Sequence, residues 1–233
     1  MDKKVMLLTG GTRGIGRKIA DEAIARGWFV SIGARDPSAQ DLGLAPADAE
    51  VVQYDAAKGG EGDWVAGVME RYGHIDAVVA CAGIFDGASI VTPDDERVQH
   101  LFGVNVHAPR RLAAAAWDAL KQSGAGRVVV LGSLSGKRVK SAGSGLYSFS
   151  KFAAVALAHA LRHEGWDDGI RATAVCPGLV ATDMGLDAAG GAYPADAMTQ
   201  ARDVAKVTLD AMEMPNTLSQ AEITLNCQLD GIF

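Results

Sequence analysis

Cysteine is scarce in this chain. Its three copies, Cys81, Cys176 and Cys227, stand far apart, and no Cys-x2-Cys pair or Cys/His cluster has the spacing of a metal site. The expectation is three free, buried, reduced thiols in a cytoplasmic protein, with no metal. The histidines (His74, His100, His107, His159 and His163) form no ligand set either. No uninterrupted apolar stretch reaches the roughly 18 residues of a membrane span. The first residues lead into a short strand-like run rather than a signal segment. Lys and Arg number 22 against 28 Asp and Glu, and the net charge of −6 argues against a general binder of nucleic acid or anionic membrane. Aromatics are few at 6%, whereas glycines number 28, a balance suited to tight βα turns and close helix-to-sheet packing. A length of 233 residues fits one large α/β domain.

Strand and helix patterns alternate along the chain. Val5, Met6, Leu7 and Leu8 form a continuous apolar run, as in a strand buried on both faces. It breaks at Thr9-Gly10-Gly11-Thr12-Arg13-Gly14-Ile15-Gly16 and passes into a helical rhythm at Ile19, Ala20, Ala23 and Ile24. Strand, glycine turn and helix in that order make a nucleotide-binding corner. The glycines let the backbone approach a pyrophosphate, and the helix start offers free N–H groups. The spacing Thr-Gly-x3-Gly-x-Gly is more distinctive than a lone Gly-x-Gly-x-x-Gly. A second strand, 29–33, is followed by Ala34-Arg35. An acid there would bind the ribose hydroxyls of NAD, whereas arginine accommodates the 2′-phosphate of NADP. Arg35 and Arg13 together match a dianion, so NADP(H) is favoured. Asp36 beside them leaves NAD(H) possible. Residues 36–49 read as a loop. A third strand, 51–54, ends at Asp55, which is either an acceptor for the adenine amine or a turn or capping aspartate. A helix over 64–72 and a strand over 75–80 lead into Cys81-Ala82-Gly83, a turn small enough to pass beneath a ligand.

Pro93 is expected to open one long helix reaching about Gln122. Asn105 interrupts its apolar rhythm, and a buried asparagine needs either structural partners or a water-holding, catalytic role. A strand over 128–131 ends at Gly132-Ser133-Leu134-Ser135-Gly136. Tyr147 and Lys151 then stand four apart at the head of an apolar helix and share one face. A phenol is a poor acid or base at neutral pH. An ammonium nearby stabilises its phenolate, making a proton-transfer group for a hydroxyl or carbonyl oxygen. A sixth strand, 171–175, precedes Pro177-Gly178, Val180 and Thr182. Residues 183–198 lack periodicity and read as a mobile loop, a lid candidate that favours a modest, largely apolar substrate. A helix over 204–212 and an apolar run over 221–225 close the pattern. It predicts α/β architecture: a single doubly wound Rossmann-type domain over 1–233, with a mostly parallel sheet of about seven strands flanked by helices.

The Thr9 to Gly16 turn, Asp55, Ala82-Gly83, Asn105, Ser133, Tyr147 with Lys151, and Pro177-Gly178 with Thr182 occur in one order over essentially the whole chain. In this the sequence resembles the short-chain dehydrogenase/reductase family. The resemblance implies an oxidoreductase that moves hydride between NADP(H) and a carbonyl or secondary alcohol of a small molecule, as a ketone or aldehyde reductase. It implies that Tyr147 is the general acid/base, that Lys151 stabilises the phenolate and binds the nicotinamide ribose, that Ser133 orients the substrate oxygen, and that Asn105 holds a water in a proton relay. It further implies that Thr182 and the Val180 backbone hold the carboxamide, that Asp55 meets the adenine, and that the protein is a homodimer or homotetramer. The chain departs from the family's frequent Asn-Asn-Ala-Gly at Ala80-Cys81-Ala82-Gly83. The Ser133-to-Tyr147 spacing is one residue longer than usual, which makes Ser135 a rival to Ser133. Two other readings are an NAD-dependent alcohol dehydrogenase and a catalytically silent NADP-binding regulator.

Overall fold

In the computed structural model, which describes residues 3–38 and 42–229, seven strands form one parallel sheet. They are β1 (Val5–Thr9), β2 (Phe29–Ala34), β3 (Ala49–Gln53), β4 (Ala77–Ala80), β5 (Arg127–Leu131), β6 (Arg171–Pro177) and β7 (Glu222–Leu225). Their spatial order is β3-β2-β1-β4-β5-β6-β7. The chain builds outward from β1 in one direction and from β4 in the other, so a crevice opens between their C-terminal ends.

Parallel strands joined by crossover helices are covered on both faces, and β1, β2, β4 and β5 are buried at every position. Alternate residues feed two cores. Val5, Leu7, Val78, Val128 and Val130 meet α2 (Glu61–Tyr72), α4 (Ala108–Ala115), α5 (Trp117–Gln122) and α6 (Gly145–Glu164). Met6, Leu8, Val79 and Val129 meet α1 (Gly14–Ala25) and α8 (Ala201–Met212).

The expected long helix is broken. Asp94, not Pro93, caps α3 (Asp95–Phe102), accepting the Arg97 N–H at 2.9 Å. A π-helical turn (Gly103–His107) then separates α3 from α4, with the Ala108 N–H reaching back five residues to the Gly103 carbonyl. Pro109 has no N–H to return to Asn105, so the regular ladder cannot run through this point. Residues 183–198 also differ from the expected irregular loop. They contain α7 (Asp183–Ala189) and a 3-10 turn (Ala195–Ala197). The helix is too short, and too rich in glycine and alanine, to show a period in sequence. Of the cysteines only Cys176 is fully buried; Cys81 and Cys227 are half-buried. The loop reading at Ala39, Gln40 and Asp41 lies outside the described residues. Among the described residues no helix is long and apolar enough to cross a membrane, and no group of histidine, cysteine and carboxylate side chains is placed to hold a metal.

Candidate active site

A cavity of about 910 Å³ runs along the C-terminal edge of the sheet. At one end the glycine turn leaves β1 and enters α1. Gly10 has φ of 69°, and a Cβ there would lie 2.8 Å from the Ala82 nitrogen. A Cβ on Gly16 would lie 2.2 Å from the Gly10 carbonyl oxygen. Side chains at these positions would fill the hollow at the start of α1, where unpaired N–H groups favour an anion. Thr9 Oγ1 accepts the Cys81 and Ala82 N–H groups at 3.1 and 3.0 Å, which holds the small turn after β4 against the glycine turn. The concave, glycine-lined cradle therefore fits a dinucleotide.

Arg35 lines the cavity, and Asp36 does not. The Arg35 carbonyl accepts from Gln53 Nε2 at 2.7 Å, whereas Asp36 Oδ1 accepts from the Ser38 N–H and hydroxyl. Arg13 stands exposed, 3.6 Å from Asp183. Asp55 is on the wall, but its Oδ1 accepts the Ala57 N–H at 3.0 Å in a tight turn. That is the turn geometry the residue type allows on its own.

At the other end α6 presents Tyr147 and Lys151 to the cavity. Lys151 is 5% exposed, donates to the Leu131 carbonyl at 2.7 Å, and lies 5.7 Å from the centre of the Tyr147 ring. Phe85 packs edge-on against that ring at 5.0 Å. Ser133 and Ser135 both line the wall, and the Ser133 hydroxyl oxygen accepts the Ser135 N–H at 3.1 Å. Thr182 caps α7 by accepting the Gly185 N–H at 3.3 Å, beside Pro177, Gly178 and Val180 on the same wall. Desolvation at the cavity wall pushes the Cys81 thiol up to about 12, so it is a poor nucleophile at neutral pH.

The structure thus gathers Gly10, Thr12, Arg13, Gly14, Ile15, Gly16, Arg35, Asp55, Ala82, Gly83, Ser133, Tyr147, Lys151, Pro177, Gly178, Val180 and Thr182 around one cavity. Asn105 is the exception and sits a layer behind. Its Oδ1 accepts the Ile84 N–H at 2.9 Å, and its Nδ2 donates to the Ile84 carbonyl and to Ser150 Oγ. The sequence reading missed Phe85, Arg138, Lys140, Asn226 and Gln228, which also line the cavity. For the last two a signal existed. Residues just past the C-terminal end of a strand face the crevice in this architecture, and both follow β7 directly.

The sequence matches the short chain dehydrogenase family over residues 4–189. The chain belongs to the short-chain dehydrogenases. A solved short-chain dehydrogenase from Burkholderia cenocepacia in complex with NADP is 30% identical, with a TM-score of 0.86 over 97% of each chain. The agropine synthesis reductase of Rhizobium rhizogenes is 33% identical over 98% of this chain, which spans 53% of that protein's length. An acetoacetyl-CoA reductase of Rhizobium meliloti is 30% identical over 78% of this chain and 76% of its own. The glycine cradle at the start of α1 is where a dinucleotide would fit.

Proposed function

We propose that this short-chain dehydrogenase is an NADP(H)-dependent reductase of small-molecule ketones or aldehydes, with Tyr147 as its general acid/base. The observation that carries the reading is the placement of Tyr147 and buried Lys151 on one face of α6, in the same cavity as the glycine turn. The turn residues Gly10, Thr12, Gly14, Ile15 and Gly16 would hold the pyrophosphate, and Arg13 and Arg35 the 2′-phosphate. Asp55 would accept from the adenine, Ala82 and Gly83 would pass beneath the cofactor, and Pro177, Gly178, Val180 and Thr182 would hold the carboxamide. The bound nicotinamide supplies the hydride.

The protein's part is orientation and a proton. The Ser133 hydroxyl and Tyr147 hydrogen-bond the substrate carbonyl oxygen. As negative charge develops there, the Tyr147 O–H bond breaks and an O–H bond forms on the substrate. The Lys151 ammonium stabilises the phenolate left behind. Asn105, with its side chain committed to Ile84 and Ser150, acts by fixing the wall beside Lys151. The short α7 segment serves as the lid. The single domain 1–233 pairs with a second copy through α4 and α6, a reading supported by Phe149 and Phe152 standing exposed on α6.

The decisive experiment compares initial rates of NADPH and NADH oxidation across ketones, aldehydes and quinones, with Tyr147→Phe alongside. Turnover with NADPH that vanishes in the variant is expected. Tyr147→Phe protein that keeps most of its kcat would overturn the mechanism.

A further inference from the structure

Among the described residues, three of the large apolar side chains that stand exposed also line the cavity: Phe85, Met184 and Tyr193. The exposed isoleucine, valines and leucines (Ile90, Val91, Val139, Leu186 and Leu218 among them) all lie off it. The free apolar surface inside the cavity therefore comes from two aromatic rings and a thioether. All three groups prefer aromatic partners. Met184 and Tyr193 come from the segment after Thr182, whereas Phe85 belongs to the wall beside the Tyr147 phenol, its ring centre 5.0 Å from that of Tyr147.

Phe85 is held on both sides of its own backbone. Before it, the Ile84 N–H donates to Asn105 Oδ1 at 2.9 Å, and the Ile84 carbonyl accepts from Asn105 Nδ2 at 3.0 Å. After it, both Asp86 oxygens accept from the Arg97 guanidinium, at 2.6 and 2.7 Å, a two-pronged contact with fixed geometry. Asp86 Oδ1 also accepts the Ala88 N–H at 2.9 Å. The Ala88 carbonyl in turn accepts the N–H of Leu146, the residue before Tyr147, at 3.3 Å. The ring cannot swing toward Gly87, where a Cβ would already lie 3.5 Å from Phe85 Cε1. Phe85 is nevertheless 43% exposed. An aromatic ring anchored this firmly and left uncovered on a cavity wall is preorganised to be covered by a ligand.

We propose that Phe85 is a specificity-determining residue that selects substrates whose carbonyl carbon bears an aromatic ring, with Asp86 and Arg97 as its positioning residues. The inference rests on the reductase reading above and narrows it from ketones and aldehydes in general to aryl ones. A carbonyl oxygen held by the Tyr147 hydroxyl carries its substituents on the cavity side of the phenol, where the neighbouring ring on the wall is Phe85. An aryl group there gains an offset or edge-to-face contact that a saturated ring of similar outline cannot make.

The test is calorimetric. The protein, saturated with NADP⁺, is titrated with two matched pairs: acetophenone against cyclohexyl methyl ketone, and benzaldehyde against cyclohexanecarbaldehyde. The aryl member of each pair is expected to bind roughly threefold to tenfold more tightly. Phe85→Leu should bring that ratio to about one, and Phe85→Tyr should keep it. Phe85→Ile replaces the leucine variant if melting shows the latter to be unfolded. Arg97→Met should lower the ratio, and Arg97→Lys should restore part of it. Equal affinity within both pairs, no binding by any of the four, or a Phe85→Leu loss that is the same for aryl and cyclohexyl partners would each overturn the proposal. The last outcome would make Phe85 a support for Tyr147 alone. Turnover separates the two readings: aryl-selective binding without reduction of any carbonyl defeats the reductase and leaves the aromatic subsite standing.

Discussion

Four residues of spacing made Tyr147 and Lys151 legible, because a helix turns i and i+4 to one side whatever surrounds it. What the spacing could not give is that the Lys151 ammonium is anchored to the Leu131 carbonyl on β5, which fixes its height above the phenol. Tyr147→Phe keeps the ring that packs against Phe85 and removes only the hydroxyl. It should lower kcat by about 10²–10⁴-fold and leave the NADPH dissociation constant within about twofold, measured by steady-state rates and fluorescence titration. The cofactor choice also rests on single residues. Arg35 borders the cavity while Asp36 is turned into its own loop. Arg35→Asp should therefore shift the ratio of kcat/KM for NADPH over NADH toward NADH by about tenfold or more, the scale of a charge-assisted hydrogen bond. Asn105 shows the limit of residue-level reading. Its type announced a need for partners, but the partners, Ile84 and Ser150, come from elements that only the fold brings near.

Elements were legible where a period or a breaker is strong, and blurred where two influences overlap. The segment from α3 to α5 has one apolar rhythm in sequence. Pro109 stands two residues past the end of the turn, so the break at Gly103–His107 has no marker within it. The opposite holds at the glycine turn, whose geometry leaves no freedom of residue choice. Gly16→Ala would drive a methyl group to 2.2 Å from the Gly10 carbonyl oxygen, a backbone atom that cannot step aside without moving β1's end. Overpacking of this kind costs about 1–3 kcal/mol or more. The variant should show both a lower melting temperature and at least tenfold weaker NADPH binding. Gly62→Ala in α2 is the matched control, since a Cβ there meets nothing within 4 Å and alanine is the better helix former. Its melting temperature should hold or rise. Equal behaviour of the two variants would show that glycine is not required by the turn.

At the scale of the molecule, strand and helix alternation was enough to give the sheet, because parallel strands must be crossed by helices and the central strands β1, β4 and β5 are nearly continuous apolar runs. The alternation could not give what ties the last strand in place. Among the described residues β7 pairs only with β6, and its first residue, Glu222, accepts from Lys137 at 2.5 Å and meets His159 Nε2 at 2.6 Å. One carboxylate thus links β7, α6 and the turn after Ser133, three pieces far apart in sequence. Burial pushes its carboxyl up, but the hydrogen bonds from Lys137 and His159 outweigh that and hold it below the usual range. A carboxyl depressed in the folded state contributes stability that is fully present above its unfolded value, near 4.5, and is lost as pH falls through the folded one. Glu222→Gln should therefore lower the melting temperature at pH 7 by roughly 2–4 °C, equivalent to about 1 kcal/mol. Between pH 5 and 3 the wild type should lose stability faster than the variant, so that their melting curves converge. Asp86 and Asp210 are depressed as well, by Arg97 and by Lys206 with Arg26, and they remain in both proteins. The difference between the two pH profiles accordingly isolates Glu222. Profiles that run parallel down to pH 3 would mean that this carboxylate does not hold the edge strand.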